Sequence, residues 1–258
     1  MPVSDAVCEK ISDEDTDTGL PINELFYSLQ GEGKLTGTPS VFVRTSGCNL
    51  RCWFCDSYHT SWEPVYAHCS IETIVDKIRS YDSASHVVLT GGEPLIHPES
   101  VELLERLKDC GYHTTVETNG TIYRDAPIDL ASISPKLQSS TPTQENAPTD
   151  DVDGWKTKHE TERINVDALG QLVDSYSSQL KFVVTDRDDL EEIHELVDQI
   201  RSNCTTTIDN EDILLMPEGT TREQLADRQQ TVAKLAIEYG YRYTPRLHVD
   251  LWNDAPET

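Results

Sequence analysis

The chain lacks any apolar run that approaches the ~20 residues needed to cross a membrane. Its first twenty residues contain neither a basic segment nor an apolar core, so we expect no signal peptide there. The seven cysteines form no paired framework, and we interpret the scattered Cys8, Cys69, Cys110 and Cys204 as ordinary thiols. These absences predict a cytoplasmic protein in a reducing compartment.

Basic residues are also scarce. The chain has 21 Lys and Arg residues against 46 Asp and Glu residues, which gives a formal net charge of −25. Such a surface repels nucleic acid, so we expect no direct contact with tRNA. Because concentrated salt screens charge repulsion, we interpret the acidity as a halophilic adaptation. A generally acidic protein with flexible acidic segments is the alternative that composition leaves open.

Apolar residues are sparse in two segments, and these set the predicted domain organisation. Residues 1–20 are acidic, and residues 138–163 are rich in Ser, Thr, Pro and Asp. Segments with so few apolar residues do not offset the entropy that folding costs. We predict a flexible N-terminal extension over 1–20 and a single domain over 21–258. Residues 138–163 are predicted to form a polar insertion with at most a short helix.

Strand and helix patterns alternate along the rest of the chain. Apolar residues at helical spacing predict helices near 70–81, 98–110, 166–175, 188–201 and 221–239. Short apolar runs predict strands near 41–44, 86–89, 114–116, 128–133, 180–184, 212–216 and 241–243. This alternation predicts an α/β protein with a parallel sheet and right-handed crossovers. About six βα units are too few for a closed eight-stranded barrel, so we predict an open, partial TIM-like barrel.

Polar motifs follow the predicted strands, at the end where βα barrels carry their active sites. A single such loop is usually only a turn, whereas several on one edge favour a site. The loops in question are 48–55, 90–94, 117–120, 134–136, 216–218 and 246–248. We therefore expect one functional site at this edge of the sheet.

Cys48, Cys52 and Cys55 follow the first of these strands with the spacing C-x3-C-x2-C. Three thiolates on one loop can bind three irons of a [4Fe–4S] cluster and leave the fourth iron open to a small molecule. The spacing alone leaves open a zinc knuckle, to which His59 or Cys69 would contribute, and a chance arrangement.

The cysteine run resembles the signature of radical SAM enzymes, in which S-adenosylmethionine (SAM) binds the open iron. Gly91-Gly92-Glu93-Pro94 resembles their GGEP motif, which contacts the amino group of the methionine moiety. Glycine permits close backbone approach, and an ammonium group needs acceptors, so this chemistry is reasonable. The resemblance implies a [4Fe–4S] cluster with three cysteine ligands and SAM as a cofactor.

The complete set of motifs resembles one family, the 7-carboxy-7-deazaguanine synthases of queuosine and archaeosine biosynthesis. The resemblance covers about residues 22–252, apart from the insertion, and is carried by Tyr27-Ser28-Leu29-Gln30-Gly31-Glu32-Gly33, Phe42-Val43-Arg44-Thr45-Ser46-Gly47-Cys48-Asn49-Leu50, Thr90-Gly91-Gly92-Glu93-Pro94, Glu117-Thr118-Asn119-Gly120, Ser134-Pro135-Lys136 and Arg246-Leu247-His248. It implies a carbon–nitrogen lyase that converts 6-carboxy-5,6,7,8-tetrahydropterin into 7-carboxy-7-deazaguanine with loss of ammonia. The product would supply 7-deazapurine-modified nucleosides of tRNA.

The resemblance also assigns residues to each bound molecule. Those expected along SAM are Phe54, Cys55, Asp56, Gly92, Glu93, Glu117, Ser134, Pro135, Lys136 and Gln179, with Lys181 as a further candidate. Those expected to contact the pterin are Leu29, Gln30, Gly31, Glu32, Arg44, Thr90, Arg246 and His248. Within the second set, Arg44 would pair with the substrate carboxylate, because a guanidinium can bind it with two hydrogen bonds.

The resemblance implies a magnesium ion at the substrate carboxylate, and here the chain departs from the family. Ser57 occupies the position where many members have a threonine ligand. A serine hydroxyl is an adequate hard oxygen ligand that lacks only the methyl group stiffening χ1. We therefore keep Ser57 as the predicted magnesium ligand.

Two rival functions follow from other classes of protein. One is a radical SAM activating enzyme that makes a glycyl radical on a partner protein, and the other is a non-catalytic zinc or iron–sulfur binding module. The second leaves the GGEP, Glu117–Gly120 and Ser134–Lys136 motifs unexplained. For the synthase, the resemblance implies a homodimer and a flavodoxin or ferredoxin as reductant, with no membrane partner.

Overall fold

A nine-stranded sheet forms the centre of the computed structural model, which describes residues 19–149 and 152–253. The strands are β1 (Leu20–Leu29), β2 (Pro39–Thr45), β3 (Ala67–Cys69), β4 (His86–Gly91), β5 (His113–Thr118), β6 (Leu130–Ile133), β7 (Ser178–Val184), β8 (Ile213–Pro217) and β9 (Arg242–Tyr243). Their order across the sheet is β3-β1-β2-β4-β5-β6-β7-β8-β9. The order from β2 to β9 confirms the predicted open, partial barrel.

Pairing is parallel from β2 through to β9, as the alternation of strands and helices predicts. In β2 and β4, for example, Val41 lies opposite Val87. The antiparallel strands β1 and β3 were not predicted. The burial of β1 does not alternate along the strand, so it lacks the period of two by which a half-buried strand is recognised.

Helices cover the sheet in the described ranges. They are α1 (Tyr58–Ser61), α2 (Ile71–Arg79), α3 (Glu99–Asp109), α4 (Asp153–Glu162), α5 (Val166–Ser175), α6 (Asp189–Asn203), α7 (Arg222–Tyr239) and α8 (Leu247–Trp252). The five longer predicted helices are confirmed to within two residues at each end. In the part of the chain that the structure describes, no helix is both long and apolar enough to cross a membrane.

Caps and buried side chains explain why the helices begin and pack where they do. The Ser70 hydroxyl accepts a hydrogen bond from the Thr73 amide at 3.2 Å and so caps α2. Helix α7 ends at Gly240, whose φ of 71° is a left-handed conformation that glycine adopts readily. Ile74 and Leu104 are fully buried against the sheet, and each such side chain contributes roughly 1.5–3 kcal/mol.

The segment 138–163 differs from its predicted character as a poorly ordered surface insertion. Its described residues include a 3-10 turn at Gln138–Ser140 and the ten-residue helix α4. Ser140 and His159 in this segment are both 0% exposed. The composition does not show this, because two of the buried side chains, Ser140 and His159, are polar groups that bond each other, beside the apolar Val152. The predicted flexible extension covers residues 1–20, of which 1–18 lie outside the described residues and Leu20 begins β1.

The scattered cysteines are not all free. Cys110 and Cys204 are free thiols, whereas Cys69 is disulfide-bonded, so its interpretation as an ordinary thiol is wrong. Cys8 lies outside the described residues. Spacing along the chain does not show which cysteines meet in the fold, and for that reason the pairing was not foreseen.

Candidate active site

A cleft opens at the carboxyl ends of the parallel strands. It contains about 1170 Å³ of empty space, including its open mouth. The predicted residues that line it are Leu29, Gln30, Gly31, Glu32, Arg44, Cys52, Phe54, Cys55, Asp56, Ser57, Thr90, Gly92, Glu117, Ser134, Lys136, Lys181, Arg246 and His248.

The cysteine loop occupies one end of this cleft, between β2 and α1. The Leu50 amide donates a hydrogen bond to the Cys48 sulfur at 3.4 Å, and the Ser61 hydroxyl donates to the Cys55 sulfur at 3.2 Å. Burial raises the pKa of Cys52 to about 12 and also raises the pKa of Cys48 and Cys55. Thiolates in such a place need a positive partner, which iron would supply.

The donor set fits a cluster rather than a single ion. Cys48, Cys52 and Cys55 are free thiols on one loop. Within residues 19–149 and 152–253, no three or more His, Cys, Asp or Glu side chains are arranged to hold one metal ion. The described residues thus contain no assembled mononuclear zinc site, which was the alternative left open by the spacing.

The GGEP loop brings its backbone against the cysteine loop. Gly91 has a φ of +140°, and a Cβ atom there would lie 2.1 Å from the Thr45 carbonyl oxygen. A Cβ atom on Gly92 would lie 2.2 Å from the Gly47 carbonyl oxygen. Only glycine permits this approach, and it leaves Gly92 on the wall of the cleft next to the cysteines.

Glu93, by contrast, does not line the cleft. Its side chain is fully buried and accepts hydrogen bonds from the Leu95 amide at 3.0 Å, the Asn119 amide at 2.6 Å and the Thr118 hydroxyl at 2.9 Å. Burial raises the pKa of Glu93 to about 6, against the opposing effect of these donors. The carboxylate therefore ties the GGEP loop to the end of β5.

A charged cluster forms another part of the cleft wall. Glu32 pairs with Lys181 and, at 3.1 Å, with Arg246, which also pairs with Asp56. Burial alone would raise the pKa of Glu32, but the charges of Lys181 and Arg246 lower it well below its ordinary value. His248 Nε2 lies 4.0 Å from the Glu32 carboxylate. These residues form a preassembled polar wall.

Glu117 joins two further predicted residues in the middle of the cleft. Its carboxylate accepts hydrogen bonds from the Gln30 side-chain amide at 3.0 Å and the Thr90 hydroxyl at 3.0 Å. These bonds orient groups that stand on three different elements, β4, β5 and the loop after β1. A planar heterocycle with several donors and acceptors fits such an array.

Arg44 lies between the cysteine loop and the polar pocket. Its Nε donates to Glu24 at 2.9 Å, and its Nη1 donates to the Ser57 hydroxyl at 2.8 Å. The guanidinium also covers the Phe26 ring, 5.7 Å from its centroid. The aromatic contact and Glu24 hold the cation at the wall of the cleft, where an anionic substrate group would meet it.

Sequence comparison decides which family shares these features. Residues 42–143 match the radical SAM superfamily. The chain is 64% identical to the 7-carboxy-7-deazaguanine synthase of Halobacterium salinarum over 100% of both chains. It is 42% identical to the enzyme of the same name from Rhodopirellula baltica, over 91% of this chain and 87% of that relative. The chain belongs to the 7-carboxy-7-deazaguanine synthase family.

A solved structure supports the same membership. The crystal structure of QueE from Escherichia coli matches with a TM-score of 0.63 and 26% sequence identity, over 89% of this chain and 94% of that one. As a radical SAM member of the 7-carboxy-7-deazaguanine synthase family, the protein uses a [4Fe–4S] cluster and SAM. The open corner and cysteine ligands inferred from the sequence agree with this membership.

Four predicted site residues are not on the wall of the cleft: Cys48, Glu93, Pro135 and Gln179. The Cys48 side chain lies against Gly92, where a Cβ atom would be 2.9 Å from the Cys48 Cβ atom. Gln179 is buried, and it accepts a hydrogen bond from the Lys34 amide at 2.7 Å and donates to the Ser132 hydroxyl at 2.8 Å. It supports the loop that carries Glu32 instead of facing SAM.

Five residues of the cleft wall were not predicted from the sequence: Phe26, Phe42, Ser132, Val183 and Gly219. Five others lie in polar loops that were expected at this edge, although no individual role was predicted for them: Gly91, Thr118, Asn119, Met216 and Glu218. Strand alternation could have found two of the first five. Ser132 stands two residues before Ser134, and Val183 two residues after Lys181, so each pair shares one face of its strand. No comparable pattern in the sequence indicates that Phe26 and Phe42, whose stacked rings lie 5.1 Å apart, line the cleft.

Proposed function

We propose that the cleft binds SAM beside the cysteine loop and 6-carboxy-5,6,7,8-tetrahydropterin in the adjoining polar pocket. In this cleft the protein converts the pterin into 7-carboxy-7-deazaguanine with loss of ammonia. One observation carries the assignment of the two subsites. One cleft is lined both by Cys52 and Cys55 and by Glu32, Arg246 and His248, and Arg246 pairs with Asp56, the residue after Cys55. Radical chemistry beside the cysteines would thus reach a molecule held by the charged residues.

Cys48, Cys52 and Cys55 would hold the cluster, which would pass one electron from the reductant to SAM for reductive cleavage of its sulfonium with release of methionine. The residues near it hold SAM in place. Gly92 offers backbone groups to the methionine ammonium, and Ser134 and Lys136 line the same wall. Lys136 Nζ donates to the Ser134 hydroxyl at 2.7 Å, which fixes a cation there for a carboxylate.

The pterin pocket is built from complementary polar groups. Arg44 pairs with the substrate carboxylate, and Gln30 and Thr90 contact the ring, each held in place by Glu117. Glu32 accepts from the guanidine-like edge of the pterin, because its lowered pKa keeps it ionised. This orientation points C6, which bears the carboxylate, toward the cysteine end.

Arg246 and His248 line the pocket, where Arg246 already pairs with other groups of the protein. Arg246 is 6% exposed and is engaged by Glu32, Asp56 and the Gly219 carbonyl oxygen, the last at 2.5 Å. Gly31 lies so close to His248 that a Cβ atom there would be 1.9 Å from its Nδ1. The pair therefore fixes the loop at Gly31 and Glu32 while excluding water from the substrate.

Ser57 and Asp56 offer oxygen donors for the magnesium ion. The Ser57 hydroxyl lies 3.2 Å from the Asp56 carboxylate and 2.8 Å from Arg44. Hydroxyl and carboxylate oxygens are ligands that Mg²⁺ prefers, and the substrate carboxylate would add another. Ser57 would hold the ion next to the group that Arg44 pairs with.

Anaerobic turnover tests the proposal. The full chain is reconstituted with iron and sulfide and incubated with dithionite, SAM, Mg²⁺ and 6-carboxytetrahydropterin in high salt. Mass spectrometry should detect 7-carboxy-7-deazaguanine and released ammonia. The Cys55→Ala variant should bind no intact cluster and form no product, whereas Cys110→Ala, which removes a free thiol far along the chain, should match the wild type.

Other outcomes separate the alternatives. If SAM is cleaved but the pterin survives, the substrate assignment is wrong and the activating-enzyme alternative gains. If no SAM cleavage accompanies an intact cluster, the catalytic assignment fails altogether. We further propose a homodimer, a cytoplasmic location and a flavodoxin or ferredoxin as electron donor. Light scattering in high salt and turnover with a purified flavodoxin would test the first and the last.

A further inference from the structure

Helix α4 and the turn before it pack directly on the cysteine loop. His159 on this helix is 0% exposed, and its Nδ1 accepts a hydrogen bond from the Arg51 amide at 3.2 Å. The Trp155 ring stacks on the Arg51 guanidinium, with the central carbon 3.9 Å from the ring centroid. Arg51 is the residue directly before Cys52.

The turn at Gln138–Ser140 bonds to Trp53, the residue directly after Cys52. The Trp53 amide donates to the Ser140 carbonyl oxygen at 3.2 Å, and the Trp53 indole donates to the Ser139 carbonyl oxygen at 2.7 Å. Both neighbours of Cys52 in the chain are thus bonded to the segment 138–163. None of these contacts lines the cleft, and the proposed reaction does not use them.

A chain of hydrogen bonds connects the two contacts. Because His159 Nδ1 accepts from the Arg51 amide, its Nε2 carries the proton and donates to the Ser140 hydroxyl oxygen at 2.9 Å. Burial lowers the pKa of His159 to about 4, in keeping with this neutral ring. The Ser140 hydroxyl in turn donates to the Leu137 carbonyl oxygen at 2.6 Å, so His159 ties the Arg51 amide to the same turn that bonds Trp53.

We propose that His159 and Ser140 are positioning residues for the iron–sulfur cluster, because together they hold the chain on both sides of Cys52 and keep its thiolate in a buried place. Exclusion of solvent raises the reduction potential of a cluster, and a loosened loop would admit water and lower it. This inference rests on the proposed function only in that a cluster occupies the three cysteines.

The reduction potential of the reconstituted full chain, followed by electron paramagnetic resonance, tests the proposal. In Ser140→Ala the ratio of reduced to oxidised cluster at a fixed potential should fall about threefold to tenfold, and tenfold corresponds to about 59 mV for one electron. Ser140→Thr keeps a hydroxyl and should recover most of the loss. His159→Phe should shift the potential in the same direction and should speed hydrogen exchange at the Arg51 amide at least ~tenfold.

Lys156→Ala is the matched control, since Lys156 is an exposed residue of the same helix. Its potential and exchange rate should equal those of the wild type. An unchanged potential in Ser140→Ala overturns the proposal, and so does an equal shift in Lys156→Ala. If His159→Phe does not fold, Ser140→Ala and Ser140→Thr still decide. Because the readout needs no pterin, failure of the substrate assignment leaves this test intact.

Discussion

Glu32 and Glu93 stand on two loops of the same cleft edge, and their surroundings put them in opposite electrostatic states. Glu32 faces the cations Lys181 and Arg246, and its pKa lies well below the ordinary value. Glu93 accepts only from two amides and a hydroxyl, and its burial raises the pKa to about 6. The first lines the cleft, and the second lies behind it.

This difference shows how one residue type serves two roles. A buried carboxylate with cationic partners stays charged and presents an acceptor to a ligand. A buried carboxylate among neutral donors ties backbone segments together and is close to protonation. Both follow a glycine of the sequence motifs, so only the partners, which come from distant parts of the chain, distinguish them.

The largest expected effect follows from removing Arg246, one of the two cations that pair with Glu32. Arg246→Met leaves Glu32 and Asp56 with less compensation inside the protein, so the free energy of unfolding should fall by about 3–5 kcal/mol. The exposed pair of Arg187 and Glu238 provides the control, and Arg187→Met should have a much smaller effect. Urea denaturation in high salt measures both, and equal losses in the two variants would contradict the account.

The next largest effects come from glycine substitutions, which should distinguish the loop that carries Glu32 from the loop that carries Glu93. In Gly31→Ala the added Cβ atom meets the His248 side chain, which can rotate, so the fold should persist while kcat/KM falls by ~100-fold. In Gly92→Ala it meets the backbone of Gly47, so unfolding should also become easier by about 1–3 kcal/mol. Kinetics and denaturation on both variants test this, and the reverse pattern would show that the two loops were assigned the wrong roles.

The pH dependence of stability should differ in sign between the two glutamates. Glu93 has a folded pKa of about 6 against an ordinary 4.5, so it takes up its proton first in the folded state. Its contribution therefore rises as the pH falls from 6 to 4.5, by roughly 2 kcal/mol. The pKa of Glu32 is lowered instead, so its contribution is present above pH 4.5 and is lost as the pH falls below it.

Single substitutions separate the pH-dependent stability contributions of Glu93 and Glu32 from those of the rest of the protein. The stability difference between the wild type and Glu93→Gln should change across pH 6 to 4.5, and that between the wild type and Glu32→Gln should change only below 4.5. Denaturation at a series of pH values measures both differences. A flat Glu93→Gln difference over that window would mean that the carboxyl is ionised normally.

The smallest expected effect concerns Ser57, the proposed magnesium ligand. Ser57→Ala should raise the Mg²⁺ concentration for half-maximal activity about tenfold, an effect of about 1.4 kcal/mol. Ser57→Thr keeps the hydroxyl and should stay within ~threefold of the wild type. A titration of activity with Mg²⁺ measures this, and wild-type behaviour of Ser57→Ala would remove Ser57 from the site.

Much of the fold and the position of the site could be predicted from the sequence. Helical spacing located α2, α3, α5, α6 and α7, and the rule that parallel strands end at one edge brought the six polar loops together. The motif residues Arg44, Thr90 and Glu117 meet in the cleft because each is the penultimate residue of a parallel strand. Local pattern and topology are enough for predictions of this kind.

Other features of the structure depend on partners far away in the chain. Glu93 turns toward Thr118 and Asn119, and Gln179 toward Lys34, which no local pattern encodes. Residues 138–163 were expected on the surface because they are polar, yet His159 is buried by bonds to Arg51 and Ser140. Burial of satisfied polar groups leaves no hydrophobic period in the sequence.

The most direct test of the central claim counts product against SAM in one anaerobic reaction. If one cleft holds both molecules and the deoxyadenosyl group is returned after each turnover, many molecules of 7-carboxy-7-deazaguanine should form per SAM consumed. Arg44→Met should lose product formation while the cluster remains intact. Stoichiometric deoxyadenosine with no product, or full activity in Arg44→Met, would contradict the account.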